Sequence, residues 1–318
     1  MKAFGLCPRL LGVLLLCGLT AGSTNAAAQE VAGSRVDPDH VQLHEPIIPF
    51  LWRDIRHVLG QPLHWEAEQW VLFGASALTL AAVAPKDEEW SVWAHEEGPD
   101  LGALGTIAGY FGDSRSFVFV GAFWVGGVFT GDQQAQNASQ DMLTASCISA
   151  GLINAIGATV VGRDRPSANA GAFSFRPFRG RSFPSGHVAN TFGVLAALAT
   201  TYDDKAWVSV LAYGMGTIAA YMRVHRYSHW VTDSIAGAIL GTAVGRAVVI
   251  YNRKQRAERG QVLGAPVPQS TTASASPPVY GALPAVWQHG PERGGTRISI
   301  SPLLGMGTYG LSGSISLP

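Results

Sequence analysis

Residues 142–166 read MLTASCISAGLINAIGATVVGRDRP, an uncharged apolar run from Met142 to Gly162 that stops abruptly at Arg163-Asp164-Arg165-Pro166. The run reads as a helix, and its Ala and Gly content lets neighbouring helix backbones approach closely. Similar runs extend from Trp70 to Pro85, Ser116 to Gly131, Val188 to Tyr202 and Ala206 to Met222, and a sixth follows Asp233 to about Tyr251 past Arg246. The expected fold is therefore all-α, an antiparallel bundle of about six apolar helices with a site at one end.

The polar residues that interrupt these runs form three islands at helix ends. They are Gly162 to Pro166, Phe183-Pro184-Ser185-Gly186-His187, and Arg223 followed by His229-Trp230-Val231-Thr232-Asp233. In an antiparallel bundle the ends of helices three and five and the starts of helices four and six share one side, so the islands can converge. Each supplies something phosphate chemistry needs. Arg165 and Arg223, with Arg163 as a third, offer permanently charged forks that match phosphate oxygens. Ser185 and Gly186 precede a helix, where a hydroxyl, free N–H groups and the dipole favour an anion. His187 and His229 exchange protons near neutral pH, and Asp233, four residues after His229, shares its helical face and can hold its tautomer.

The remaining sequence bounds the setting. A chain of 318 residues, 47% hydrophobic and 14% charged, buries a large core. With 22 basic and 22 acidic residues it has no global field to recruit nucleic acid. Lys2 and Arg9 before Leu10 to Leu19, then Ala26-Ala27-Ala28, read as an export signal over residues 1–28. The weaker lipoprotein reading uses Cys17. Without the signal Cys147 is the one cysteine left, so packing and not a disulfide must stabilise the chain. Residues 29–66 form an N-terminal segment with an amphipathic stretch at Pro46 to Leu59, residues 67–255 the helical domain, and 256–296 a Pro/Ser/Gly-rich linker. Residues 297–318 alternate polar and apolar side chains, as in a small β-hairpin.

The apolar runs mostly fall short of the roughly 20 residues a span requires. Basic residues after the last helix (Arg246, Arg253, Lys254, Arg256, Arg259) indicate a cytoplasmic end and an outward-facing site. Six spans would then place residues 29–66 inside, whereas a cleaved signal places them outside. Either the signal is not processed, or one helix does not span, or the bundle is soluble in the periplasm.

The three islands in order resemble the type 2 phosphatidic acid phosphatase (PAP2) and vanadium haloperoxidase superfamily, whose motifs read K-x6-R-P, P-S-G-H and S-R-x5-H-x3-D. The resemblance covers roughly residues 70 to 250. It implies that His229 attacks phosphorus, that Asp233 orients it and that His187 protonates the leaving oxygen. It also implies that Arg165, Arg223, Ser185 and Gly186 hold the phosphoryl oxygens without metal or cofactor. Ala158 stands where the pattern has lysine and Met222 where it has serine. Arg163, Arg181 and Arg226 are the cations available to replace the lysine. The expected substrate is a lipid phosphate such as a phosphatidate, a prenyl diphosphate or a lipid A phosphate, in the inner membrane with a periplasmic site. No nucleic-acid partner is expected, and no protein partner is inferable. Three readings compete: a soluble periplasmic acid phosphatase, a vanadate-dependent haloperoxidase, and a degenerate protein that binds phosphate without turnover. Among the histidines without matched partners, His225, between Arg223 and His229, is the one expected near the site.

Overall fold

The computed structural model describes residues 37–41, 43, 45–153, 155, 157–264, 297–305 and 308–316. The proposed signal over residues 1–28 and most of the 256–296 linker lie outside these residues. The described residues contain nine α-helices, more than the six apolar runs imply, because short helices carry the chain between the long ones. They are α1 (Ile47–Gly60), α2 (Ala67–Val83), α3 (Asp87–Glu96), α4 (Gly102–Gly109), α5 (Ser116–Thr130), α6 (Gln133–Ser146), α7 (Gly186–Thr201), α8 (Ala206–His225) and α9 (Val231–Gly264). Asp132 starts α6 by accepting from the Ala135 N–H at 3.0 Å. Glu66 and Gln69 form a reciprocal capping box at the start of α2.

The run that opens the sequence is more irregular than expected. After α6 it continues as π-helical turns at Cys147–Ile153 and Gly157–Val161. Wide turns of this kind shift the side-chain register of a helix and recur near functional sites. One result is that Gly157 lies against the Phe183-Pro184 turn, where an added Cβ would sit 2.4 Å from Pro184 Cδ.

Helix α7 is central, with every residue buried except His187 and Leu198. It meets α9 backbone to backbone. A Cβ on Gly241 would lie 2.2 Å from the Ala189 carbonyl oxygen, and one on Gly245 would lie 2.4 Å from that of Gly193. Glycine one turn apart on α9 therefore lets the two helices that carry the second and third islands touch. The core between them includes Phe192, Tyr221, Met222 and Ile235.

The outer faces are apolar. Trp70, Val71 and Phe73 on α2, Val118, Trp124 and Phe129 on α5, and Trp207 and Val210 on α8 are exposed. Two helical stretches among the described residues are long and apolar enough to cross a membrane, Ala67–Glu96 and Val231–Gly260. The first is almost wholly uncovered by the rest of the protein, and the second is more than half buried. Helix α9 continues to Gly264, into the stretch read from sequence as the start of the linker, and the compact helical unit ends at Leu263. The C-terminal unit holds a two-stranded antiparallel hairpin, Arg297–Gly305 paired with Thr308–Ser316, with Arg297 opposite Ser316 and Gly305 opposite Thr308.

Candidate active site

The islands meet where α8 and the π-helical continuation of α6 end and α7 and α9 begin. Trp230 Nε1 donates to the Asp164 carbonyl at 2.8 Å, tying the first island to the third. The Ser185 N–H donates to the Asp233 carbonyl at 2.9 Å, tying the second to the third. Ser185 is the N-cap of α7, its hydroxyl accepting from the Val188 N–H at 3.5 Å. The next two N–H groups, on Gly186 and His187, are first-turn donors with no partner inside the helix. The helix therefore presents free donors and the positive end of its dipole to the site.

His229 stands in the turn before α9 and is 5% exposed. Its Nδ1 lies 2.9 Å from the Ser182 carbonyl oxygen. A carbonyl only accepts, so Nδ1 carries the proton and Nε2 keeps its lone pair. Burial, reinforced by the nearby charge of Arg165, holds the imidazole neutral by lowering its pKa to about 3. The ring thus stays unprotonated well below neutral pH.

Asp233 does not bond the ring directly, since its nearer carboxylate oxygen is 3.9 Å from Nδ1. That oxygen accepts instead from the Ser182 hydroxyl, and from the Trp230 N–H at 2.9 Å. Ser182 therefore connects the two residues, its carbonyl on the histidine and its hydroxyl on the acid. The His-x3-Asp spacing does place both residues on one face, but the contact passes through a residue that spacing did not single out. The only sequence signal was position, two residues before Pro184.

Arg163 is the main correction. It was expected beside the phosphate, and it lies behind Asp233 instead, 3% exposed. Its N–H groups go to Asp233 (2.8 Å), Asp87 (2.7 Å), Thr232 (2.8 Å) and the Ala172 carbonyl (2.8 and 2.7 Å). A guanidinium with all five donors engaged has none left for an anion. Asp87, at the start of α3, also accepts from the Thr232 N–H at 2.8 Å and from its hydroxyl. Sequence reading missed Asp87, because nothing in Pro85-Lys86-Asp87-Glu88-Glu89 marks it out from its acidic neighbours.

Of the remaining cations, Arg165 is exposed and Arg223 half-buried. Among the described residues neither Arg165 nor Arg223 forms an ion pair, and Arg223 Nε and His187 Nε2 are buried without hydrogen-bond partners. Gly109 at the end of α4 lies between them, since a Cβ there would be 3.9 Å from both Arg223 Nη2 and His187 Nε2. Gly112 presses on the His187 ring, with a Cβ position 2.1 Å from Cδ2. Burial and the adjacent Arg223 lower the His187 pKa to about 4, while Asp113 opposes the shift and Arg226 adds to it. The buried, unpartnered Arg223 Nε and His187 Nε2 beside two unpaired arginines make this end of the site chemically suited to an anion.

Both departures from the motif pattern acquire a setting. Met222 is 1% exposed in the core, against Gly105, where a Cβ would meet its side chain at 2.8 Å. The backbone of Ala158 lies in the second π-helical stretch. Of the three arginines considered as replacements for the lysine, Arg163 is engaged elsewhere, and Arg226 is close enough to act electrostatically on both His187 and Arg223. His225 anchors α3 to α8 through Nδ1 and the Ala94 carbonyl at 2.7 Å. Among the described residues no three His, Cys, Asp or Glu side chains cluster as a metal cage.

Comparison with known proteins converges on these elements. Residues 142–257 match the profile of the PAP2 superfamily. An 83-residue stretch is 32% identical to the lipid A 1-phosphatase of Porphyromonas gingivalis, covering 24% of this chain and 19% of that protein. The chain thus matches about a fifth of that relative's length. A transmembrane PAP2-type phosphatidylglycerolphosphate phosphatase from Bacillus subtilis is similar in structure, at 22% identity and a TM-score of 0.41, over 58% of this chain and 95% of that one. The segment similar to the PAP2 superfamily begins on the Met142–Gly162 apolar run, includes all three islands and extends past Arg256.

Proposed function

We propose that this protein is a phosphatase that removes phosphate from a lipid phosphate through a phosphohistidine intermediate. The observation that carries the reading is His229, with Nδ1 locked on the Ser182 carbonyl and Nε2 free, beside the unpaired Arg165 and Arg223 and the orphaned His187 Nε2.

In the first step His229 Nε2 attacks phosphorus and the bond to the leaving oxygen breaks, with His187 giving that oxygen a proton. In the second, water attacks phosphorus while His187 takes its proton, the bond from phosphorus to His229 Nε2 breaks, and phosphate leaves with His229 restored. Arg165, Arg223, the Ser185 hydroxyl and the Gly186 and His187 N–H groups stabilise the charge on the phosphoryl oxygens. Burial and two arginines oppose the charge on His187 and keep it neutral. A bound phosphate dianion reverses that balance and loads the proton His187 must donate. Asp233 stabilises the site through Ser182 and the Trp230 N–H.

The lipid part of the proposal is supported by the exposed apolar faces of α2 and α5, by the two helical stretches of membrane-crossing character, and by the lipid phosphatases to which the chain is similar. We place the protein in the inner membrane with its site facing the periplasm, consistent with the basic residues that follow the apolar part of α9.

The deciding experiment measures phosphate release by purified full-length protein from lipid and soluble phosphate esters, beside His229→Ala, with acid-quench trapping of a labelled phosphohistidine. Turnover and label in the wild type alone support the reading. Equal background release from both proteins overturns it.

A further inference from the structure

We infer that an apolar groove between α5, α7 and α8 holds one hydrocarbon chain of the substrate; the inference rests on the lipid phosphatase reading above and names the part of the lipid that the chain recognises. The groove encloses about 270 Å³ and is lined by residues that include Phe111, Leu195, Leu198, Tyr202, Leu211 and Met215.

Its position relative to the site singles out this occupant. Phe111 forms one wall of the groove, and the next residue, Gly112, presses on the His187 ring. The Phe111 carbonyl accepts from Asn190 Nδ2 at 3.2 Å, which fixes that wall to α7 one turn beyond His187. Leu195 and Leu198 continue the groove along the same helix, which extends about 22 Å from His187 to Tyr202 at 1.5 Å per residue. A phosphate held at His187 would thus sit one residue along the chain from the near wall of an apolar groove that follows α7 away from that end. Leu211 and Trp207 on the outer rim are exposed, so the groove opens laterally to the same apolar surroundings as α5 and α8. Polar groups enter only at the far end, where Lys205 Nζ lies over the Tyr202 ring at 4.6 Å. A ligand carrying a polar group partway along its tail would leave that group unpaired against phenylalanine and leucine.

The test uses a series of monoalkyl phosphates that differ only in chain length, with wild type, Leu198→Trp and Leu211→Trp. Leu211 is 59% exposed, so its substitution leaves folding undisturbed if the Leu198 variant is unstable. In the wild type kcat/KM should rise with chain length by up to about fourfold per added methylene until the groove is full, then level off. Both tryptophan variants should flatten the rise while the shortest ester is turned over at a similar rate. A wild-type series without chain-length dependence, or variants that keep the wild-type slope, overturns the groove and leaves the phosphatase standing.

If no phosphate ester is hydrolysed at all, the phosphatase reading fails and the groove is judged by binding. A long-chain alkyl phosphate carrying a photoreactive diazirine near its tail end should label peptides containing Leu198 or Met215, and Leu198→Trp should abolish that labelling. Label spread evenly over the exposed faces of α2 and α5 overturns the groove whatever the activity.

Discussion

At its N-terminal end α9 carries Asp233 beside His229. About 28 Å further along, at 1.5 Å per residue, the same helix presents Asn252 and then Arg256 to a second buried polar cluster. There Arg256 grips Asp141 at 2.8 and 3.0 Å, Asn252 bridges Asp54 (2.8 Å) and Asp141 (2.9 Å), and Arg53 closes on Asp54 at 2.8 Å. Each arginine has a carboxylate, so the charges cancel and the cluster clasps α1, α6 and α9 together. The candidate-site end uses similar residue types with an excess of cation. Arg163 neutralises Asp233 and Asp87 from behind, while Arg165 and Arg223 are left without anions. A buried charge pair completed within the protein makes a structural joint, and the same arginines left unpaired make a receptor for an anion.

Exchanging the demands on the two ends gives tests of that contrast. His229→Ala should lower kcat by about 10⁴-fold or more, because the covalent route disappears, with the thermal midpoint little changed; a residual rate near wild type would break the assignment of the reactive end. Asp141→Ala should do the reverse, destabilising the fold by about 3–5 kcal/mol by stranding Arg256, and chemical denaturation would read the loss. Were Asp141→Ala to remain stable and lose turnover, the far cluster would not be a mere joint.

Arg223→Ala should lower kcat by about 10²–10³-fold through lost stabilisation of the phosphoryl oxygens. Bound inorganic phosphate should protect the wild type, and not this variant, against thermal unfolding. The smallest effect concerns pH. Arg226 opposes the charge on His187, so Arg226→Gln raises the His187 pKa from its value of about 4 and moves the basic limb of the kcat/KM profile to higher pH, by less than about one unit. A shift to lower pH would show that Arg226 acts on some other group.

The convergence of the three islands was legible because their polar residues sit at helix boundaries. Ser185, His187, Arg223 and His229 interrupt apolar runs, and a polar residue at such a break has few structural reasons to be there. Arg163 misled for the same reason. As a cation two residues from Arg165 it reads as a second phosphate ligand, and nothing local reveals that Asp87, 76 residues earlier in the chain, takes its guanidinium inward. The far cluster was invisible, since Asp54, Asp141, Asn252 and Arg256 are scattered singly in the chain and each resembles an ordinary solvated residue. The π-helical turns after Ser146 were equally hidden, because an apolar run has the same composition whether its turns are wide or regular.

The sequence by itself determined that the chain forms apolar helices, where they break, and which residues stand at the breaks, because periodicity and breaker residues act over neighbouring positions. Only the tertiary structure decided which cations are left without a carboxylate and which one backs the acid. It also showed that Ser182 links His229 to Asp233, and that Phe111 on the wall of an apolar groove adjoins Gly112, which packs on His187. Those outcomes depend on which distant side chains desolvate one another, and desolvation is a property of the packed molecule.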